Sequence, residues 1–276
     1  MARTVALMLL AMSLIPLGDT AGKMLVGAGV SPFFVGWSRF ALGVVLVLPF
    51  MAGAFEPRIF LDWRIWLRGA LIGAGVACIL TALRTEPLAN VFGAFFVGPI
   101  LSYFLSGVLL GERLSTGRTL LLLMGFAGVL LVVQPGFGMT VGLGFAVAAG
   151  VFYGLFLVAS RWVADVARPR ALLLSQVAIA ALVLAPFGLS TVPAFSWPVA
   201  GLVLWSAAGS TLGNLMLVMA FRRAEAGQLA PFVYFQLIAA TILGWLFFGE
   251  LPGGLALVGL TMLVGAGFGS LLLRRG

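Results

Sequence analysis

A chain of 276 residues that is 62% hydrophobic and 9% charged, with a mean hydropathy of +1.20, carries too much apolar surface for a soluble globule, in which about 25% of residues are charged. The absence of His and the single Cys, Cys78, exclude His-based triads, His metal sites, Cys-rich zinc sites and disulfides within the chain, so neither a metal nor another cofactor is expected. The eight acids are scattered without an Asp-x-x-Asp cluster for Mg²⁺, and the net charge of +8 has two sources to choose between, nucleic-acid binding or the positive-inside bias of membrane proteins.

In chain order, apolar runs bounded by Gly, Pro and charged residues fall at about 4–28, 32–54, 65–83, 87–110, 118–134, 140–162, 170–190, 198–220, 227–248 and 253–273. A spanning helix needs about 20 residues, so ten of them use most of the chain and leave only short loops. The expectation is an all-α membrane protein of ten transmembrane helices. The runs at 87–110, 198–220, 227–248 and 253–273 contain no charge, whereas the fifth is short and the first holds Asp19 and Lys23. Arg3, the apolar stretch from Val5 to Leu17 and then Thr20-Ala21-Gly22 also have the form of a signal peptide. A retained first helix is favoured, because losing it spoils the alternation of charge between the two sides.

With the N-terminus inside, the inner loops and ends hold Arg3, Arg58, Arg64, Arg68, Arg113, Arg118, Arg161, Arg168, Arg170, Arg222, Arg223, Arg274 and Arg275, against Lys23 and Arg84 outside. This asymmetry predicts both termini in the cytoplasm of an inner-membrane protein and explains the basic charge without nucleic acid.

Sliding the chain against itself by 138 residues pairs Ala82 with Ala220, Arg84 with Arg222, Ile100 with Ile238, Leu105 with Leu243, Gly111 with Gly249, Glu112 with Glu250, Leu122 with Leu260 and Met124 with Met262, and sets Lys23 against Arg161. Charged residues are rare here, so the Arg and Gly-Glu matches carry the weight. A duplication is therefore read, with units at 1–137 and 138–276. Five helices per unit is an odd number, so the second copy enters the membrane inverted relative to the first, as in many secondary transporters.

The stretch Ala82-Leu83-Arg84, then Phe95-Phe96-Val97-Gly98-Pro99-Ile100, then Leu109-Leu110-Gly111-Glu112-Arg113-Leu114, with Gly249-Glu250-Leu251 repeating its ending, resembles the repeat of the drug/metabolite transporter superfamily, in its EamA-type branch. Two departures stand out. Pro99 has Leu237 as its counterpart, and Pro16-Leu17-Gly18 replaces the usual Trp-Gly of the first helix. The resemblance implies ten helices, of which the first four of each half line a central cavity and the fifth and tenth brace it. It also implies export of small polar metabolites, often amino acids.

Among candidate functional residues, Asp19 and Lys23 stand four apart on the first helix and share a face, and Arg39 is a further charge inside a span, able to meet a substrate carboxylate or to reach Asp19. Each is expected to act as a charge pair or a coupling group. Polar and aromatic residues near the middle of the lining helices are Phe95, Phe96, Tyr103, Tyr153, Gln176, Ser210, Thr211, Asn214, Tyr234 and Gln236. Polar groups facing lipid are costly, so these are expected to face inward along a substrate pathway, with Phe95 and Phe96 suiting an apolar or aromatic substrate. Pro99 and Pro231 are candidate hinges, and Glu112 and Glu250 are expected to bind loop N–H groups or nearby Arg. Close-spaced Gly125 and Gly128, with Gly259, Gly265, Gly267 and Gly269, permit close helix approach within a monomer or a homodimer.

The expected function is export of small metabolites, chiefly amino acids, aromatic or apolar ones included, by alternating access around a central cavity. Cationic drugs or nucleoside-type metabolites are alternative substrates. From another class, a non-transporting membrane subunit or a lipid-linked transferase is the rival; the transferase lacks the clustered acids or His it needs.

Overall fold

The computed structural model describes residues 2–51, 56–111, 116–134, 138–221 and 230–272. Among them are the helices α1 (Ala2–Gly27), α2 (Pro32–Val47), α3 (Trp63–Ala82), α4 (Leu88–Phe95), α5 (Val97–Leu110), α6 (Thr116–Val133), α7 (Val141–Trp162), α8 (Pro169–Leu189), α9 (Trp197–Phe221), α10 (Phe235–Phe248) and α11 (Gly254–Leu272). Because α4 and α5 follow each other as one apolar stretch, these make the ten expected spans. Most have little polar face, as α9 illustrates with its single Asn among apolar and small residues, the pattern of helices that meet lipid on one side and protein on the other.

Local signals set the helix ends. The Asp62 side chain accepts from the Arg64 N–H at the start of α3, and Thr140 does the same for Leu143 at the start of α7. Pro32 and Pro169 occupy first-turn positions, where the missing N–H costs nothing. The second run, expected to 54, leaves the α-helix at Val47 and continues as a 3₁₀ turn over Leu48–Met51.

The two halves carry matching irregularities. The fourth span breaks at Phe96, three residues before Pro99, whose missing N–H cannot bond the carbonyl four residues earlier. In the second half the same repeat position is Tyr234, where the 3₁₀ segment Ala230–Tyr234 gives way to α10. The Phe96 and Tyr234 rings pack on each other with centroids 4.9 Å apart, so the relating axis passes close to this pair. Gly111 and Gly249 both end their helices in the left-handed conformation, with φ of 67° and 65°. A side chain there is strained, which accounts for the Gly of the duplicated Gly-Glu.

Helix packing has the same symmetry. α1 lies along α9 as α7 lies along α3; α2 meets α9 as α8 meets α3; and α1 meets α10 as α7 meets α4 and α5. Two pairs map onto themselves, α2 with α8 and α6 with α11, and the fourth spans of the two halves meet where α4 packs on α10. The chain is an all-α membrane protein of two five-helix repeats, the second inverted. α6 and α11 approach so closely that a Cβ on Gly128 would stand 2.6 Å from the Gly259 carbonyl oxygen, so these glycines serve contact within one chain. The main apolar core gathers Leu80, Leu83, Leu88, Phe92, Phe96, Leu237 and Leu263.

Candidate functional site

The charges inside the spans pair differently from their sequence spacing. Asp19 does not turn to Lys23. It receives a hydrogen bond from Arg39 Nη1 at 2.6 Å, while Arg39 also donates from Nη2 and Nε to Ser206 Oγ at 2.8 and 3.2 Å and from Nη2 to the Gly18 carbonyl at 3.3 Å. Both members of the pair are 4% exposed. Close packing makes this possible: a Cβ on Gly18 would stand 2.7 Å from the Ser210 nitrogen, and one on Gly22 would stand 2.9 Å from Arg39 Nη2, so these small residues admit both the α9 backbone and the guanidinium. Arg39 thus reaches Asp19 within the bundle.

Lys23 reaches away from Asp19 to the ends of other helices. Its Nζ donates to Glu250 Oε1 and Oε2 at 2.6 and 2.7 Å and to the Glu86 carbonyl at 2.7 Å, and Glu250 Oε2 accepts from the Leu88 N–H at 3.3 Å. The ammonium also stands 4.9 Å from the Phe248 ring centroid. One ion pair thus ties the ends of α1, α3, α4 and α10 together. The buried Glu86 carboxylate accepts from Thr140 Oγ1, joining the start of α7 to the same face. Glu250 meets the expectation of a partner among loop N–H groups, with a Lys in the place of an Arg. Glu112, its repeat counterpart, lies outside the described residues, as do Arg113, Arg222, Arg223, Glu225, Arg274 and Arg275.

Between α2, α8 and α9 lies a cavity of about 30 Å³ lined by Arg39, Phe40, Val47, Leu173, Gln176, Val177, Ser210, Thr211 and Asn214. Gln176, Ser210, Thr211 and Asn214, expected on a pathway, come together here beside Arg39, expected as a charge-pair or coupling residue. Asn214 Nδ2 bonds the Ser210 carbonyl at 2.8 Å, one turn back, so its Oδ1 remains an acceptor for something else. The volume fits about two waters; any metabolite needs the surrounding helices to part.

The other expected pathway residues lie elsewhere. Phe95 packs on Tyr153 with centroids 4.8 Å apart, Tyr153 on Phe156 at 5.8 Å, and Phe96 on Tyr234; these broad rings find each other rather than the cavity, because large flat surfaces are best covered by one another. Tyr103 faces α6, its hydroxyl 3.4 Å from Thr119 Oγ1. Gln236 is buried on α10 away from the lining set. Pro99 and Pro231 adjoin the two breaks in the fourth spans of each half.

One buried cation that sequence reasoning had assigned to an inner loop end is Arg68. It lies in the second turn of α3 and is 7% exposed. Its Nε donates to Ser160 Oγ, Nη1 to the Leu172 carbonyl and Nη2 to Gln176 Oε1, each at 2.8 Å, and the guanidinium lies 5.0 Å from the Phe156 ring centroid. The available signal was its place three residues inside the run 65–83, where a basic residue need not be marking a loop.

The EamA-like transporter family matches the chain twice, over residues 2–134 and 140–272. A riboflavin transporter of Rhizobium johnstonii is 25% identical over 239 residues, covering 83% of this chain and 77% of the relative. A pseudopaline exporter of Pseudomonas aeruginosa is 29% identical, covering 82% of this chain and 81% of the relative. An S-adenosylmethionine uptake transporter of Rickettsia conorii is 24% identical, covering 89% and 84%. A solved crystal structure superposes over 99% of this chain and 98% of its own with a TM-score of 0.69 and 22% identity, which shows a shared fold.

Proposed function

We propose that this chain, which belongs to the EamA-like transporter family, exports amino acids or closely related small metabolites across the cell's inner membrane by alternating access, with Asn214, Ser210, Thr211 and Gln176 contacting the solute. The observation that carries the reading is the small cavity between α2, α8 and α9, whose wall brings Gln176, Ser210, Thr211 and Asn214 together with apolar side chains beside the Asp19–Arg39 pair. Polar groups are retained inside such a bundle where they face a partner or a water-filled path.

In this reading both termini are cytoplasmic, the repeats divide at 137/138, and the Lys23–Glu250 face is external. The basic residues near the opposite helix ends support that orientation. The ion pair of Lys23 then closes the external side while the solute enters from the cytoplasm, and the halves rock about the Phe96–Tyr234 contact with Pro99 and Pro231 beside the moving breaks. Inversion of the repeats supplies a matching gate on the other face: Arg161 holds the repeat position of Lys23, and its Nη1 bonds Ser106 Oγ at 2.6 Å across to α5. The relatives' names include uptake as well as export, so direction is set by the solute gradient or by coupling.

Purified protein in liposomes loaded with unlabelled amino acids tests this. Labelled amino acid is expected to enter faster with the same amino acid inside, and Asn214→Ala to reduce that exchange at least tenfold with normal folded yield. Uptake that does not respond to internal amino acid would overturn the reading.

A further inference from the structure

Among the described residues, Arg68 has a feature that the other buried cations lack. Arg39 faces the carboxylate of Asp19, and Lys23 faces that of Glu250. Arg68 is equally enclosed, yet its hydrogen-bond partners are a hydroxyl, a main-chain carbonyl and a side-chain amide, all neutral. A desolvated charge is costly unless an opposite charge accompanies it. Tying α3 to α7 and α8 through neutral groups does not in itself require a full positive charge.

The geometry also says where a counter-charge fits. Gln176 is both a partner of Arg68 and part of the cavity wall. Its Oε1 stands 2.8 Å from Arg68 Nη2, at the distance and on the side where a carboxylate oxygen makes a charge-assisted bond about twice as strong as a neutral one. Three of the five guanidinium N–H groups are used in the three bonds above, so the fork can take a second oxygen as well.

We propose that Arg68 and Gln176 form the subsite for the carboxylate of the transported solute: the carboxylate takes the place of Gln176 Oε1 on the guanidinium, and the freed Gln176 amide donates to it. This rests on the carrier reading above and locates one end of the solute, leaving Ser210, Thr211 and Asn214 for its remaining polar groups. Arg39, held by Asp19, is left as a wall of the cavity.

The test uses matched acids and amides: L-phenylalanine and L-phenylalaninamide, L-leucine and L-leucinamide, N-acetyl-L-phenylalanine and its amide. Each is measured for exchange in proteoliposomes and for its shift of the unfolding midpoint in detergent, since a ligand that binds only the folded state raises that midpoint. In the unaltered protein the acids of the pairs it accepts are expected to bind at least tenfold more tightly than the amides. Arg68→Gln is expected to bring the ratio near one without weakening the amides, and Arg68→Lys to keep part of it. Gln176→Glu builds a permanent carboxylate into the subsite, so it is expected to raise the unfolding midpoint and to remove acid binding. Acids bound no better than amides, no binding of any acid, an unchanged ratio in Arg68→Gln, or normal acid binding in Gln176→Glu each overturn the subsite. Arg68-dependent midpoint shifts without any exchange would support the subsite and count against the carrier.

Discussion

Glu250→Gln should loosen the face that the proposed orientation places outside. The Lys23 side chain is 10% exposed and that of Glu250 28%, so the pair stands between exposed ion pairs, which contribute about 0–1 kcal/mol, and fully buried ones, whose one-sided loss costs about 3–5 kcal/mol. The amide keeps the shape and one acceptor but leaves Lys23 without a counter-charge. A cost of about 2 kcal/mol follows, equivalent to about a 30-fold rise in the population open on that face. A cysteine at Val203, nearly buried in the same apolar cluster as Leu25 and Leu88, reports opening once Cys78 is replaced by Ala. In right-side-out vesicles, a membrane-impermeant maleimide should label the Val203→Cys protein about 30-fold faster when Glu250→Gln is added. Lys23→Met should do the same, and the two together no more than either alone. A labelling rate unchanged within twofold, or one that rises only in inverted vesicles, would refute the assignment of this pair as the external latch.

Removing one member of the Asp19–Arg39 pair strands a charge where both are 4% exposed, so Asp19→Asn or Arg39→Met should each destabilise by about 3–5 kcal/mol, while the double variant recovers part of that loss in detergent unfolding. Gly128→Val must force α6 from α11 at a contact where even a Cβ stands 2.6 Å from a carbonyl; a loss of about 1–3 kcal/mol is expected, read as a lower unfolding midpoint, whereas Gly265→Val, with open space around it, should be nearly neutral. At the start of α3, the Arg64 side chain and then its main-chain N–H hold the Asp62 carboxyl below its ordinary value of 3.8. A depressed native value means that the stabilisation is present above that ordinary value and lost as pH falls through the native one. The difference in unfolding midpoint between the protein and Asp62→Asn should therefore be constant above about pH 5 and shrink below pH 3.8; a difference that persists unchanged to pH 3 would contradict it.

The spans were legible because lipid demands long apolar helices, and the duplication was legible because charge is rare enough for Gly111-Glu112 and Gly249-Glu250 to stand out. The positive φ at Gly111 and Gly249 supplies the physical reason for the glycines. The pairings were not legible. Helical spacing reports which residues share a face of one helix, and it correctly set Asp19 near Lys23 in sequence; it carries no information on which distant helix comes closest, so Glu250 as the partner of Lys23 was out of its reach. The same limit explains the aromatic residues. Phe95, Phe96, Tyr153 and Tyr234 pack on one another, and of the expected pathway residues Gln176, Ser210, Thr211 and Asn214 line the cavity, beside Arg39. Arg68 was hidden by its usefulness as a side marker, since a basic residue near a helix start satisfies the positive-inside rule whether it points to water or into the bundle.

Alternating access requires the cavity between α2, α8 and α9 to open to each side of the membrane in turn. A single cysteine at Asn214, in protein whose Cys78 is replaced by Ala, can be labelled with an impermeant reagent in right-side-out and inverted vesicles, with and without an exchanged amino acid. Labelling from both sides, with the solute slowing it and shifting the ratio between sides, is the predicted result. Labelling from one side alone, unchanged by any amino acid that the protein exchanges, would contradict it.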